Sequence, residues 1–253
     1  MINLLRRIRR NTMTEKKSDL YLVYAIGEVV LVVLGILIAL QIDNWNENKK
    51  ARSIEQQYLQ ALKEEFEFNK DELAKVIDRN RLNGDNMLIL VNHIGPADPD
   101  LNEEELGDLL RGSLSQEIQF NPSQGVLDEI ISSGKLGMFS SQELRFALSS
   151  WSGKMYKVRL QEQELLRIRY ITIDIIRNEG NLRKALGSFL EQIGIEQTKF
   201  QKGNLDLLKS ISFEGHMMGA VTMSLNLNNY QYSMLDREMD NILSFIEAGI
   251  IEN

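Results

Sequence analysis

Residues 20–40 read LYLVYAIGEVVLVVLGILIAL, an apolar run of 21 residues with one charged side chain, Glu28. At 1.5 Å per residue a helix of this length covers roughly 31 Å, which matches the hydrocarbon core of a bilayer. The run is too long for the apolar part of a cleaved export signal, and no small-x-small cleavage site follows it, so the expectation is an uncleaved transmembrane helix over 20–42. Tyr21 and Tyr24 stand at one end and Trp45 just past the other, where amphipathic aromatics favour the membrane–water interface. Arg6, Arg7, Arg9, Arg10, Lys16 and Lys17 precede the run, and only Lys49, Lys50 and Arg52 closely follow it. Basic residues stay on the cytoplasmic side. The chain is therefore expected to carry a basic cytoplasmic N-terminus over 1–19 and an extracytoplasmic, periplasmic helical domain over 43–253, anchored in the inner membrane.

A carboxylate within a bilayer costs a few kcal/mol on insertion scales, of order +3, so Glu28 needs a partner or a proton. At 100° per residue Tyr21, Ala25, Glu28, Val32, Gly35 and Ala39 share one helix face. Gly35-x-x-x-Ala39 is a small-xxx-small pair, which lets two helix backbones approach closely. The expectation is a helix–helix contact with Glu28 buried in it. Two other readings are open: Glu28 snorkels or stays protonated without further role, or it belongs to a proton pathway, for which a lone span offers no second relay group.

The stretches LLRRIRRN (4–11) and YAIGEVVLVVLGILIALQIDNWNENKK (24–50) closely resemble the signature of a bacterial family of single-pass membrane proteins of unknown function. FNPSQGVLDEIISSGKLGMFSSQELRFALSSW (120–151) resembles a second feature of that family more loosely. The resemblance implies the same topology and carries no activity, substrate or catalytic residue.

The charge is uneven along the chain. Residues 1–20 balance to +4 in a chain of net −7, leaving −11 on the remainder. Binding a phosphate backbone needs a basic surface, so the domain is not expected to bind nucleic acid; an RNA-binding arm is the alternative reading of the arginine cluster, which the adjoining apolar run explains better. The absence of cysteine excludes disulfides, thiolate catalysis and cysteine-ligated zinc.

Beyond Trp45 the sequence predicts an all-α domain, an elongated antiparallel helical bundle continuing from the membrane helix. Positions 59, 62, 66, 69, 73, 76, 80, 83, 87, 90 and 94 step by three and four, as in a coiled-coil seam, with asparagine at three of them. The seam reads either as a partly wet face of an ordinary bundle helix or as a self-association surface. Gly95, Pro96 and Pro99 end it. Asn102 before Glu103, Glu104 and Glu105 predicts a helix start, Asn121-Pro122-Ser123 opens a short helix closed by Gly134, and Ser140-x-x-Glu143 reads as a capping box. A long helix then runs to Asn178, with ITIDII (171–176) taken as helix although its alternation also suits a strand. Leu182, Leu186, Phe189, Leu190 and Ile193 line one of two short helices, and a last long helix spans about 214–247 with Met217, Met218, Val221, Leu225, Met234, Leu235, Ile242 and Phe245.

No chemical motif stands out. Asp98-Pro99-Asp100-x-Asn102 resembles the start of a calcium loop but has Glu103 where the loop needs glycine and Leu109 where it needs glutamate. His216, Met217, Met218, Met223 and Met234 could suggest copper, yet helical spacing explains them as core. His93 reads as a structural histidine. With two histidines and no Walker, dinucleotide or nucleophile-elbow motif, no metal, cofactor or catalytic residue is expected. The expected role is a non-enzymatic structural or interaction protein that self-associates through its transmembrane and membrane-proximal helices. The expected partners are the lipid bilayer, a second copy of the chain, and an unidentified membrane or envelope protein. The alternative is a sensory or ligand-binding module of the envelope that signals through a partner.

Overall fold

The computed structural model describes residues 19–250, with side chains from residue 23. Every regular element among the described residues is helical, with no strand among them. Helix α1 covers Asp19–Asn92, followed by α2 (Glu103–Leu114), α3 (Gly125–Ser132), a 3-10 turn at Lys135–Met138 and α4 (Gln142–Glu179). Two short helices, α5 (Leu182–Ala185) and α6 (Gly187–Gln192), and a 3-10 turn at Leu205–Lys209 lead to α7 (Ile211–Asn226). A π-helical stretch, Leu227–Tyr232, joins α7 to α8 (Ser233–Gly249). The chain divides into two units at Glu55 and Gln56.

In the second unit the three-and-four spacing on α1 is a burial pattern. Leu59, Leu62, Phe66, Asn69, Leu73, Val76, Asn80, Asn83, Met87 and Leu90 are all buried, and Ile94 is half-buried just past the helix end. Their partners are helices of the same chain. Gln56 donates to the carbonyl of Gly249 (2.8 Å), Lys63 pairs with Glu247 (2.9 Å), Lys70 with Asp236 (3.1 Å), and Asn80 donates to the carbonyl of Ser224 (3.0 Å). Rising numbers on α1 meet falling numbers on α8 and α7, so these helices are antiparallel. Glu162 meeting Tyr232 and Lys154 meeting Glu238 set α4 antiparallel to the same pair. Between α1 and α4, Phe66 and Trp151 pack edge to face with ring centroids 5.1 Å apart.

Each of the seam asparagines bonds main chain of its own bundle. Asn69 and the backbone of Ser123 exchange two bonds of 2.7 Å. Asn83 donates to the carbonyl of Gln116 (3.2 Å). Asn80 donates to Asn228 as well as to Ser224, whose hydroxyl returns a bond to Asn80 Oδ1 (2.9 Å). Gly84 faces this last contact: a Cβ there would stand 2.9 Å from Ser224 Oγ, so the close approach of α1 and α7 favours glycine in mid-helix.

The last long helix keeps its core face by changing pitch. Buried Phe213, Met217, Ala220, Val221, Ser224 and Leu227 follow helical steps, and the next buried residues are Tyr232, Leu235, Met239, Ile242 and Ile246. The five-residue step from Leu227 to Tyr232 would turn an α-helix off its face, and the π stretch absorbs the extra residue. Met218, Leu225 and Met234 lie on the exposed side.

Two helix starts and one buried face need correction. Ser141, not Ser140, caps α4, accepting from Leu144 N–H (3.0 Å). Asn121-Pro122-Ser123 leads into α3 but does not begin it; the helix starts at Gly125 with no cap of its own. Phe189 and Ile193 are exposed and Leu182, Leu186 and Leu190 half-buried, so α5 and α6 contribute Ala185 to the core in place of the expected stripe. Residues 171–176 are helical as read, and Asn102 forms the full capping box with Glu105.

Replacing Asn80 by Ala removes its amide's bonds to the Ser224 carbonyl, the buried Ser224 hydroxyl and Asn228 Oδ1, and leaves that hydroxyl the carbonyl of residue 80 alone. Chemical denaturation followed by near-UV circular dichroism is expected to give a loss of about 1–3 kcal/mol; a neutral result contradicts the role assigned to Asn80.

Candidate functional site

In the first unit every side chain from Val23 to Ile54 is exposed, including all the large aliphatic residues between Val23 and Leu40. This N-terminal part of α1 is the one segment, among the described residues, long and apolar enough to cross a membrane. Ala25, Glu28, Val32, Gly35 and Ala39 lie on continuous α-helix, within an arc of about 80° at 100° per residue. A Cβ built on Gly35 meets nothing within 4 Å. Trp45 is exposed, with Lys49 Nζ 5.7 Å from its ring centre. Tyr21 lies on the same helix but its side chain falls outside those described, and Arg6, Arg7, Arg9 and Arg10 lie outside the described residues.

Three carboxylates of the bundle, buried Glu65 and Glu162 and half-buried Glu103, are used on main chain. Glu65 of α1 accepts from Val126 N–H (3.0 Å), Leu127 N–H (3.1 Å) and the Ser123 hydroxyl (3.2 Å). It thereby supplies to α3, across 60 residues of sequence, the N-terminal cap that α3 lacks, where a negative charge is favoured. Glu103 accepts from Asn204 N–H (2.7 Å) and Leu205 N–H (3.3 Å) at the start of a 3-10 turn. Its carboxylate lies so close to Gly203 that any Cβ there would collide with it. Sequence reasoning missed both, because a cap from a distant element leaves no local spacing to read.

The third, Glu162 on α4, is the most enclosed. Its Oε1 accepts from Phe120 N–H (2.8 Å) and from the Tyr232 hydroxyl (2.8 Å), and Arg159 meets Oε2 at 2.7 Å. Arg159 also donates to the carbonyl of Phe120 (2.9 Å), so both main-chain groups of that residue are held by one ion pair. Burial pushes the Glu162 carboxyl above its ordinary value of 4.5, and the two hydrogen bonds and Arg159 only partly offset this. Burial and the neighbouring carboxylate raise the Tyr232 hydroxyl far above the ordinary tyrosine range.

The residues considered for metals are engaged elsewhere. Asp98 pairs with Lys209 (2.7 Å), Asp100 with His93 Nδ1 (2.6 Å), and Asn102 caps α2. Those partners hold Asp98 and Asp100 below the usual carboxylate range. Met217 is core, Met218 and Met234 are exposed, and His216 Nδ1 contacts the carbonyl of Ser212 (2.7 Å). Among the described residues no group of three His, Asp or Glu side chains is arranged to hold a metal ion.

A family of unknown function (DUF6090) matches residues 28–174, more than half of the chain. The chain belongs to that family. No curated protein and no solved structure matches it. The DUF6090 match opens at Glu28, runs through the apolar segment and the whole buried seam of α1, and closes within α4. It therefore contains Glu65, Asn69, Glu103 and Glu162, while Tyr232 and the π stretch lie beyond it.

A carboxyl raised by folding holds its proton more tightly in the folded than in the unfolded chain. Its stabilising contribution is complete below the ordinary value of 4.5 and is lost as pH rises through the raised value. The stability of the wild type relative to Glu162→Gln is therefore expected to grow as pH falls from neutrality towards 4.5, measured by denaturation at a series of pH values. A gap that shrinks over that range overturns the assignment. Glu162→Ala, which strands Phe120 N–H, the Tyr232 hydroxyl and Arg159, is expected to cost about 3 kcal/mol at neutral pH.

Proposed function

We propose that this DUF6090 protein is a non-enzymatic, membrane-anchored interaction protein that self-associates through the Glu28–Gly35–Ala39 face of its N-terminal helix. The observation that carries this reading is the exposure of that whole segment, with a carboxylate and two small residues confined to one face. In hydrocarbon a lone carboxylate is costly, and burying it against a second helix, where Gly35 and Ala39 permit close approach, lowers that cost. From Leu59 onward the seam of α1 is buried within its own bundle, so a membrane-proximal contribution would come from the exposed residues of α1, those before Glu55 among them. The engagement of Glu65, Glu103 and Glu162 with main chain of their own bundle supports a non-enzymatic role.

Light scattering of the detergent-extracted chain tests the contact. The wild type is expected to be a defined oligomer, and Glu28→Leu and Gly35→Leu are each expected to lower its mass by half or more. Three monomers overturn the proposal.

We further infer that the N-terminus is cytoplasmic and the bundle periplasmic, from the basic residues ahead of the span. Because the chain has no cysteine, Ser149→Cys on the exposed side of α4 gives a single label site. It is expected to react with a membrane-impermeant maleimide in intact spheroplasts; protection until lysis reverses the orientation.

A further inference from the structure

A groove of about 740 Å³ opens between α2, the C-terminal half of α4 and the short helices α5 and α6. Its floor is made by Ile173, Ile176, Leu182, Ala185, Leu186 and Phe189. Ile176 and Ala185 are buried, the other aliphatic residues are half-buried, and Phe189 is about half exposed at the edge. Arg111, Arg169 and Arg177 line it, with Asp108 the one carboxylate among the lining residues.

The three arginines are not equivalent. Arg111 is paired with Asp108 and Arg177 with Asp174 (2.7 Å), each one turn away on its own helix. Arg169 is half-buried and, among the described residues, makes no salt bridge. Its Nε donates to the carbonyl of Leu114 (2.6 Å), which anchors the guanidinium, and the group lies 5.6 Å from the ring centre of Tyr170. A half-buried guanidinium with no carboxylate partner among the described residues has Nη donors to spare, and an anion in the groove would pair with them.

We propose that this groove binds a single-chain fatty acid, its carboxylate on the Nη groups of Arg169 and its acyl chain along the floor. The chemistry of the floor selects the occupant. Its side chains offer no hydrogen-bonding group, so a peptide lying there would leave main-chain N–H and C=O groups unpaired, whereas an acyl chain has none to satisfy. One unpaired cation matches one negative charge. The volume falls within the range of pre-formed small-molecule sites, about 300–1,000 Å³. This site is independent of the helix contact proposed above: it lies wholly in the second unit, and Glu28→Leu should leave it unchanged.

The test is calorimetric titration of the full chain in phosphatidylcholine nanodiscs, with the signal from empty nanodiscs subtracted. Dodecanoate is expected to bind at one saturable site per chain, at least tenfold more tightly than dodecanol. Arg169→Gln is expected to bring dodecanoate down to the affinity of dodecanol and to leave dodecanol unchanged, while Arg169→Lys retains most of the difference. Phe189→Glu, at a position exposed enough to tolerate the change, is expected to weaken both ligands with no shift in the circular dichroism melt. If Arg169→Gln fails to fold, Phe189→Glu and Arg169→Lys decide the matter. Equal affinity for dodecanoate and dodecanol, uptake that Phe189→Glu does not change, or binding of dodecyl phosphate without dodecanoate overturns the proposal.

Discussion

The second unit depends on the buried seam of α1, and within it on polar side chains that bond the main chain of other segments. Apolar residues alone would let neighbouring helices slide, since dispersion contacts tolerate small shifts of register. Glu65 and Asn69 allow one position only for the 121–127 segment, because they bind Ser123, Val126 and Leu127 through directed bonds. Asn80 does the same for the turn of α7 that carries Ser224. Desolvating these groups is costly, and the cost is met only in the register where every partner is present. The specificity of the bundle thus rests on its least hydrophobic core positions.

The π stretch extends this logic. Asn80 contacts Asn228 inside the stretch, and Tyr232 at its end reaches Glu162. The insertion therefore sits where α1 and α4 both place polar groups against the last helix. It corrects the drift of the buried face and at the same time brings the Asn228 amide to Asn80 on α1 and the Tyr232 hydroxyl to Glu162 on α4. Phe120, held through both main-chain groups by Glu162 and Arg159, ties the irregular segment after α2 into that layer.

Much of this architecture was legible in the sequence. The seam from Leu59 to Leu90 follows helical steps over nine turns, and no competing pattern has that length. Asn102 followed by three glutamates identified the start of α2 because a capping box is a local signal. The missed features are non-local. Glu65 looks like any charged residue of a surface helix until α3 is seen to lack its own cap, and the lack of a salt bridge at Arg169 among the described residues is a fact of the packed structure. Ser141 was displaced by one residue because Ser140 and Ser141 satisfy the same local rule. Periodicity also left the role of the seam open: three-and-four spacing describes a helix buried by its own domain as well as one buried by a second copy, and the intrachain bonds of Asn69, Asn80 and Asn83 show the first.

The two units of α1 answer to different solvents. After Gln56, apolar side chains alternate with charged ones and the buried fraction follows the helical period. Between Val23 and Leu40 there is no such alternation: apolar groups surround the helix, and none is covered. A continuous exposed apolar surface of this size is unfavourable in water. An all-round apolar helix is satisfied by acyl chains alone, but one whose face carries Glu28 is not, because hydrocarbon supplies no hydrogen-bond partner to a carboxyl group. The apolar surface therefore argues for a membrane, and the single carboxylate within it argues for a second helix at that depth.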